Sequence, residues 1–195
     1  MQSTPQIVLA STSKYRRELL ARLGLPFEVA APLVDETALP NEAPEDSARR
    51  LAEAKARAVA DRFPQAIVIG SDQVAILEGS VLGKPGSHAN ALRQLKAMRG
   101  KEVAFHTALC VCDAASGQAL TRVLPYYVRF RDYSDAQIER YLRREQPYDC
   151  AGSARCEGLG IALIAEMRGA DPNALIGLPL IALTEMLAAL GVSIL

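Results

Sequence analysis

The sequence lacks an excess of either charge. Lysine and arginine together number 22, and aspartate and glutamate also number 22. A chain with this balance has no net positive field to attract a polyanion such as DNA. We therefore expect no nucleic-acid partner and exclude a nucleic-acid coat protein, although a local basic pocket is compatible with the composition.

Residues that form disulfides or structural metal sites are also scarce. Only two histidines are present, and the four cysteines show neither the paired CxxC spacing of a zinc site nor a secreted disulfide framework. We expect reduced thiols in a cytoplasmic protein. Residues 1–4 do not open a signal peptide, and no apolar run is as long as a membrane span, so we expect no membrane partner.

Apolar sequence is abundant, because half of the 195 residues are hydrophobic. A chain of this length can bury a core without disulfides or a structural metal. Glycine and proline are scattered, and no repeat or linker divides the sequence. We expect one domain, or one domain with two lobes.

Hydrophobic periodicity predicts alternating strands and helices in the first half and paired strands later. The expected strands are 7–10, 27–30, 67–69 ending at 70–72, 103–112 and 120–130, with a hairpin over 74–82 that turns at 78–79. The expected helices are 14–23, 46–61, 89–98, 134–144 and one that carries Leu180, Leu183, Leu187 and Leu190. This pattern predicts an α/β fold, a mixed sheet with helices on its faces.

Two cationic side chains fall on the inward faces of predicted helices. Arg16 lies three and four residues before Leu19 and Leu20, and it follows the strand-to-helix turn that holds Ser11. Such turns bind phosphate through free backbone N–H groups and the helix dipole. Lys55 occupies the apolar stripe of the next helix, where a lysine is rare unless paired or bound to an anion. A simple N-cap and a structural ion pair remain the alternative interpretation.

Asp72 closes the buried strand that we expect at 67–69, where open α/β sheets place their ligand crevice. If residues 78–79 form a two-residue hairpin loop, Lys84 pairs with Gln73, which brings a lysine beside Asp72. A carboxylate among such cations either binds Mg²⁺ or deprotonates a water in phosphoryl-type hydrolysis. Asp35 and Glu36 are candidates for a second metal-binding carboxylate.

Six ordered segments resemble the Maf family of nucleoside triphosphate pyrophosphatases over nearly the whole chain. They are Leu9-Ala10-Ser11-Thr12-Ser13 with Arg16-Arg17, Val34-Asp35-Glu36, Ala54-Lys55-Ala56, Gly70-Ser71-Asp72-Gln73, Gly83-Lys84-Pro85 and Gly177-Leu178-Pro179. Within the family the chain looks most like the branch that acts on 7-methyl-GTP. The residues behind that choice are Tyr15, Ser71-Asp72-Gln73 and Cys156-Glu157-Gly158, although tyrosine stands where a larger indole is usual.

The resemblance implies a role for each candidate residue. Asp72 would accept the proton of the attacking water, and it would bind the metal together with Glu36. The triphosphate would be held by Ser11, Arg16, Lys55 and Lys84. Base choice would be set by Tyr15, Gln73 and Glu157, since a cationic N7-methylated guanine stacks on an aromatic ring and a carboxylate accepts from its N1 and N2 hydrogens.

The resemblance also implies a single domain over residues 1–195, with an elongated mixed sheet and two lobes around a central cleft, similar to inosine triphosphatase folds. The expected activity is hydrolysis of 7-methyl-GTP to 7-methyl-GMP and pyrophosphate, which removes modified nucleotides from the pool. The expected cofactor is Mg²⁺, Mn²⁺ or Co²⁺, and a homodimer is left open. The alternatives are a dTTP or UTP pyrophosphatase, a phosphatase that removes single phosphates, and a nucleotide-binding regulator of cell division or septum formation without significant catalysis.

Overall fold

The computed structural model describes residues 5–195 as alternating strands and helices. The strands are β1 (Gln6–Ala10), β2 (Glu28–Val29), β3 (Ala66–Leu77), β4 (Ser80–Leu82), β5 (Glu102–Asp113), β6 (Ala119–Phe130) and β7 (Ile164–Arg168). The helices are α1 (Lys14–Ala21), α2 (Pro44–Ala60), α3 (His88–Met98), α4 (Asp135–Glu145), α5 (Pro172–Ile176) and α6 (Leu180–Ala189). The strands form one mixed sheet in the order β2-β1-β3-β5-β6-β7, with β4 paired to β3. The predicted α/β class is therefore confirmed.

The chain divides into two compact units. The first comprises Met1–Gln73, His106–Leu124 and Asp171–Leu195, and the second comprises Val74–Phe105 and Pro125–Ala170. Three of the strands, β3, β5 and β6, contribute residues to both units. A single domain with a cleft between two lobes stays a prediction.

In the first unit, β3 pairs in parallel with β1, from Gln6 opposite Ala66 to Ala10 opposite Gly70. One face of these strands packs its apolar side chains against α1 and α6. That cluster includes Ile7, Leu9, Leu19, Leu20, Ile67, Ile69, Leu109, Val111, Leu183 and Leu187. Because successive side chains of a strand point to opposite faces, Val68, Gly70 and Asp72 belong to the other face, where α2 lies. The continuous apolar sequence of β3 follows from this burial on both faces.

The predicted end of the strand at residues 70–72 is wrong, because β3 continues to Leu77. Strand β5 lies along one edge of β3, and along the other edge the partner changes: the parallel ladder with β1 ends at Gly70, and an antiparallel ladder with β4 begins at Ala75. Asp72 therefore lies in the middle of a strand, just past the carboxyl end of β1. Its backbone is extended, and its side chain is fixed by the strand rather than by a mobile turn.

In the second unit, the predicted hairpin is confirmed. Leu77 pairs with Ser80, and the two loop residues, Glu78 and Gly79, have φ values of 49° and 81°. Positive φ at both positions is the geometry of a two-residue hairpin turn whose twist matches that of the strands. Helix α4 begins with the expected cap, since Ser134 accepts from the Gln137 N–H and the Gln137 side chain accepts from the Ser134 N–H.

Two of the described elements, β7 and α5, were not predicted. Strand β7 is an edge strand of five residues, and α5 is a helix of five residues, so neither displays a full period of its pattern. All four cysteines are free, as expected. Over residues 5–195, no helix combines the length and apolar character needed to cross a bilayer.

Candidate active site

The centre of the candidate site is the buried ammonium of Lys55. Its Nζ lies 2.6 Å from Oδ1 of Asp72 and 3.0 Å from Oε1 of Glu36. The side chains of Lys55 and Asp72 are 6% and 12% exposed, whereas that of Glu36 is 59% exposed. Lys55 thus contacts one carboxylate in the interior of the first unit and one carboxylate at its surface. The predicted inward orientation of Lys55 is confirmed.

Gly70 explains why α2 comes close enough for this contact. A Cβ atom at Gly70 would lie 2.8 Å from the backbone nitrogen of Ala56 and would overlap the carbonyl oxygen of Ala52. These alanines flank Lys55 on the helix, and Gly70 precedes Asp72 by two residues on the same face of β3. The absence of a side chain at Gly70 therefore sets the spacing between the lysine and the aspartate.

The turn between β1 and α1 brings Arg16 to the same edge of the sheet. Ser13 caps α1 by accepting from the Arg16 N–H at 3.4 Å, and the Ser11 hydroxyl accepts from the Ser13 N–H at 3.1 Å. The Arg16 guanidinium donates through Nε to the Gly177 carbonyl oxygen at 2.8 Å. Ser11, which is buried, lies at the limit of hydrogen-bond distance from Arg16, 3.5 Å from Nη1. These contacts match the sequence expectation that Arg16 is not a solvated surface charge.

Electrostatics couples Arg16 to the two carboxylates. Burial lowers the pKa of the Arg16 guanidinium, and the charges of Asp72 and Glu36 act in the opposite direction. An arginine stays protonated at neutral pH even when its pKa falls, so the group remains a fixed cation. The site thus places two cations, from α1 and α2, around Asp72.

Glu36 is carried by an irregular segment that is held to α2. Arg50 donates from Nε and Nη2 to the two carboxylate oxygens of Glu42 at 2.6 and 2.8 Å, and from Nη2 to the Thr37 carbonyl oxygen at 3.2 Å. The hydrogen bond from Arg50 lowers the pKa of Glu42 to about 2. Asp35 accepts from the Thr37 N–H at 2.9 Å, so it stabilises the turn while Glu36 contacts Lys55.

The two predicted base-selecting residues of the first unit lie in different surroundings. Tyr15 is half-buried, and the Lys14 ammonium lies 4.8 Å from its ring centroid. Gln73 directs its amide nitrogen into the protein, where it is 2.8 Å from the Ala174 carbonyl oxygen and 3.1 Å from that of Leu175. Both stand next to site residues in the sequence, Tyr15 beside Arg16 and Gln73 beside Asp72.

Lys84 and Glu157 belong to the second unit. Lys84 is exposed and follows β4, in the register expected from the hairpin, although the ladder itself stops at Leu82. Glu157 accepts from Arg155 Nε at 3.2 Å, and Arg155 also pairs with Glu145 at 2.9 Å. Burial raises the pKa of the Cys156 thiol to about 12, so the thiol stays protonated beside Glu157. The approach of Lys84 to Asp72 and the role of Glu157 in base choice stay predictions.

The two carboxylates that contact Lys55 provide oxygen ligands, which suit a hard divalent cation that also binds the phosphates of a substrate. Within residues 5–195, no group of three or more histidine, cysteine, aspartate or glutamate side chains could hold a metal. Mg²⁺ in nucleotide enzymes is commonly bound by one or two carboxylates together with substrate phosphates. Glu36 and Asp72 supply two such carboxylates, and they are the residues that would hold the ion.

Sequence reasoning missed the backbone contribution to the site. The Gly177 carbonyl oxygen accepts from Arg16, and the buried Ser71 hydroxyl lies 2.9 Å from it. Gly177 has a φ of 117° at the end of α5, a conformation that side chains disfavour. The segment Gly177-Leu178-Pro179 is part of the family resemblance, but a backbone acceptor leaves no signal of its chemistry in the sequence.

Comparison with known families agrees with this geometry. The chain belongs to the Maf family, since the model described as Maf-like protein matches residues 6–190. Several similar proteins are named 7-methyl-GTP pyrophosphatase. The one from Methylobacillus flagellatus is 62% identical over 97% of this chain and 99% of its own length. Those from Nitrosococcus oceani and Nitrosospira multiformis are each 58% identical, over 98% and 99% of this chain and 96% and 98% of their own lengths.

Among solved structures, the chain is similar to the Ham1 protein of Staphylococcus aureus. The similarity covers 65% of this chain and 72% of that protein, with a TM-score of 0.46 and 16% sequence identity.

Proposed function

We propose that this protein is a nucleoside triphosphate pyrophosphatase that hydrolyses 7-methyl-GTP to 7-methyl-GMP and pyrophosphate. The observation that carries the proposal is the contact of Asp72 with Lys55, beside Arg16, at the carboxyl end of β1. Open α/β sheets bind ligands at this edge. The name shared by relatives that match nearly the full chain supports the choice of substrate.

In the proposed reaction, a water oxygen attacks the α-phosphorus while the bond to the bridging oxygen breaks and pyrophosphate leaves. Asp72 accepts the proton of the water, a role for which its buried position in a rigid strand is suited. The cations of Lys55 and Arg16 stabilise the charge on the phosphates, because electrostatic interactions are strong where water is excluded. Ser11 and Lys84 complete the proposed triphosphate site.

The proposed cofactor is a divalent cation, Mg²⁺, Mn²⁺ or Co²⁺, held by Glu36 and Asp72. When bound, it would neutralise phosphate charge and favour departure of the pyrophosphate. Lys55 keeps the two carboxylates close to each other through its contacts with both, at 3.0 and 2.6 Å. The exposure of Glu36 leaves it accessible to an ion that arrives with the nucleotide.

Base choice is assigned to Tyr15 and Glu157, because the amide nitrogen of Gln73, the third residue that the resemblance suggests, is bound to the Ala174 carbonyl oxygen at 2.8 Å. Methylation at N7 gives guanine a positive charge, so it is attracted to an aromatic face and to a carboxylate. Tyr15 provides the ring and Glu157 provides the carboxylate, which can accept from the N1 and N2 hydrogens of the base. We therefore expect 7-methyl-GTP to have the highest kcat/KM among common and methylated nucleoside triphosphates.

The decisive experiment is a product assay with a panel of nucleotides and Mg²⁺, Mn²⁺ or Co²⁺. The native chain should release pyrophosphate from 7-methyl-GTP, and Asp72→Asn should lose about 100-fold or more of that activity, the usual scale for a general base. Asp61→Asn, at the exposed end of α2, is the matched control and should retain full activity.

Other outcomes point to the alternatives. Faster hydrolysis of dTTP or UTP would change the substrate, and release of orthophosphate would indicate a phosphatase. Nucleotide binding with no release of either product would favour a regulator of cell division or septum formation.

A further inference from the structure

Gly177, the glycine that follows the short helix α5, holds the side chain of Arg16 in place. The Gly177 carbonyl oxygen accepts from Arg16 Nε at 2.8 Å, which fixes the plane of the guanidinium on one side. A Cβ atom at Gly177 would lie 3.4 Å from the same Nε. The orientation of Arg16 therefore depends on where the end of α5 is held.

The carbonyl groups at the end of α5 are held by two side chains of the sheet. Gln73 Nε2 lies 2.8 Å from the Ala174 carbonyl oxygen and 3.1 Å from that of Leu175. The Thr107 hydroxyl donates to the same Ala174 oxygen at 2.8 Å, and Gln73 Nε2 is also 2.8 Å from Thr107 Oγ1. The last carbonyls of a helix lack partners within the helix, so side chains that donate to them anchor its end.

The start of α5 is anchored separately by Asp171, which is 2% exposed. Its Oδ1 accepts from the Asn173 N–H at 2.9 Å, and its Oδ2 accepts from the Ile181 N–H at 2.7 Å. This carboxylate ties α5 to the first turn of α6. At the other end of the segment, the Ser71 hydroxyl donates to the Gly177 carbonyl oxygen at 2.9 Å, while Gln73 and Thr107 hold the carbonyl groups of the last turn of α5.

We propose that Thr107 and Gln73 are positioning residues for Arg16, acting through the Ala174 carbonyl and the Gly177 carbonyl. This inference rests on the proposed function, because it assumes that Arg16 binds the triphosphate. Thr107 is fully buried, so it acts only through its neighbours. Gln73 adjoins Asp72, and strand alternation turns it toward α5 while Asp72 faces α2. Strand β3 thus carries the proposed general base, Asp72, on one face. On its other face it carries Gln73, which positions the proposed phosphate-binding residue Arg16.

The nature of the effect follows from what Arg16 contacts. The triphosphate group is common to all nucleoside triphosphates, so displacement of Arg16 should weaken the binding of every substrate by the same factor. A residue that contacts the base should instead change the ratio between 7-methyl-GTP and GTP. An equal loss for both nucleotides therefore indicates that Gln73 positions Arg16, whereas a changed ratio between 7-methyl-GTP and GTP indicates that Gln73 contacts the base.

The test is a double-mutant cycle of Thr107→Val with Arg16→Ala, with Thr107→Ser as the conservative variant. Valine keeps the shape of threonine without the hydroxyl, and serine keeps the hydroxyl. Two quantities are measured for 7-methyl-GTP and GTP: the dissociation constant by calorimetry without divalent metal, and kcat/KM with metal. Thermal unfolding is recorded for each variant.

We expect Thr107→Val to weaken binding and lower kcat/KM about fivefold for both nucleotides, the scale of one hydrogen bond. Thr107→Ser should restore both, and Thr107→Val should have no further effect once Arg16 is alanine. Gln73→Met should behave like Thr107→Val, with an unchanged ratio between the two nucleotides.

Additive losses in the cycle, or a changed nucleotide ratio in Gln73→Met, would overturn the inference even if pyrophosphate is released normally. If the native chain binds nucleotide but releases no pyrophosphate, the proposed function fails. The binding cycle then decides the inference by itself.

Discussion

The Lys55 ammonium lies 2.6 Å from the Asp72 carboxylate, although the two residues are 17 positions apart on different elements. Both groups are buried, and the charge of each offsets the free-energy cost of burying the other. The same lysine reaches Glu36 at 3.0 Å. One side chain therefore organises both carboxylates of the candidate site.

Replacement of Lys55 by methionine should abolish most activity. The substitution keeps the length of the side chain but leaves Asp72 without its cation, and it removes a phosphate ligand from the proposed site. We expect kcat/KM to fall by about 100-fold, the scale of losing one electrostatic stabiliser. Arg57→Met on the exposed face of the same helix is the control and should leave kcat/KM unchanged. Equal activity of the two variants would remove Lys55 from the mechanism.

Replacement of Glu36 by glutamine should change the dependence on the divalent cation. A neutral amide is a weaker ligand for a hard cation, so we expect the metal concentration at half-maximal activity to rise about tenfold or more. Asp35→Asn is the matched control, since asparagine can still accept from the Thr37 N–H. A titration with Mg²⁺ measures both variants. An identical shift in Asp35→Asn, or none in Glu36→Gln, would contradict the assignment of Glu36 to the metal.

Replacement of Gly70 by alanine should destabilise the fold and separate α2 from β3. The added Cβ would overlap the Ala52 carbonyl oxygen, which is backbone and cannot rotate away. We expect a loss of about 1–3 kcal/mol in the free energy of unfolding, typical of overpacking in a core. Urea denaturation measures the loss. The control is Gly83→Ala, where no atom lies within 4 Å of the new Cβ, and its stability should match that of the native chain.

The ion pair of Glu42 and Arg50 should make stability depend on pH. The pKa of Glu42 is about 2 in the folded protein, below its ordinary value of 4.5, so the folded state favours the charged form. The resulting stabilisation is fully present above the ordinary value and is lost as the pH falls toward 2. The stability difference between the native chain and Glu42→Gln should therefore be constant above about pH 5 and shrink below it. Urea midpoints across this range, with the exposed Glu18→Gln as control, measure the difference.

Much of the fold could be predicted because its signals are local. The helical period placed Lys55 on the inward face of α2 and Arg16 beside the buried Leu19 and Leu20. The hairpin register followed from a two-residue turn, since loop length fixes which residues pair. Periodicity failed at α5, because five residues are too few to display it.

The end of β3 could not be predicted for a different reason. Whether a strand continues past Gly70 depends on which neighbours offer it hydrogen bonds, and the ladder with β4 begins only at Ala75, after the ladder with β1 has ended at Gly70. The sequence near Asp72 contains no information about that exchange of partners. Asp72 stays a candidate from the sequence, but the prediction that it closes a strand is wrong.

The sequence by itself determined which side chains carry charge on inward faces, because the 3.6-residue and two-residue periods are properties of the backbone. Only the tertiary structure decided which of these charges meet. Arg16 and the Gly177 carbonyl are 161 residues apart, and a backbone oxygen is the same chemical group in every residue. Packing of the α5 segment against the sheet selects this one oxygen as the partner of Arg16, and no local pattern records that choice.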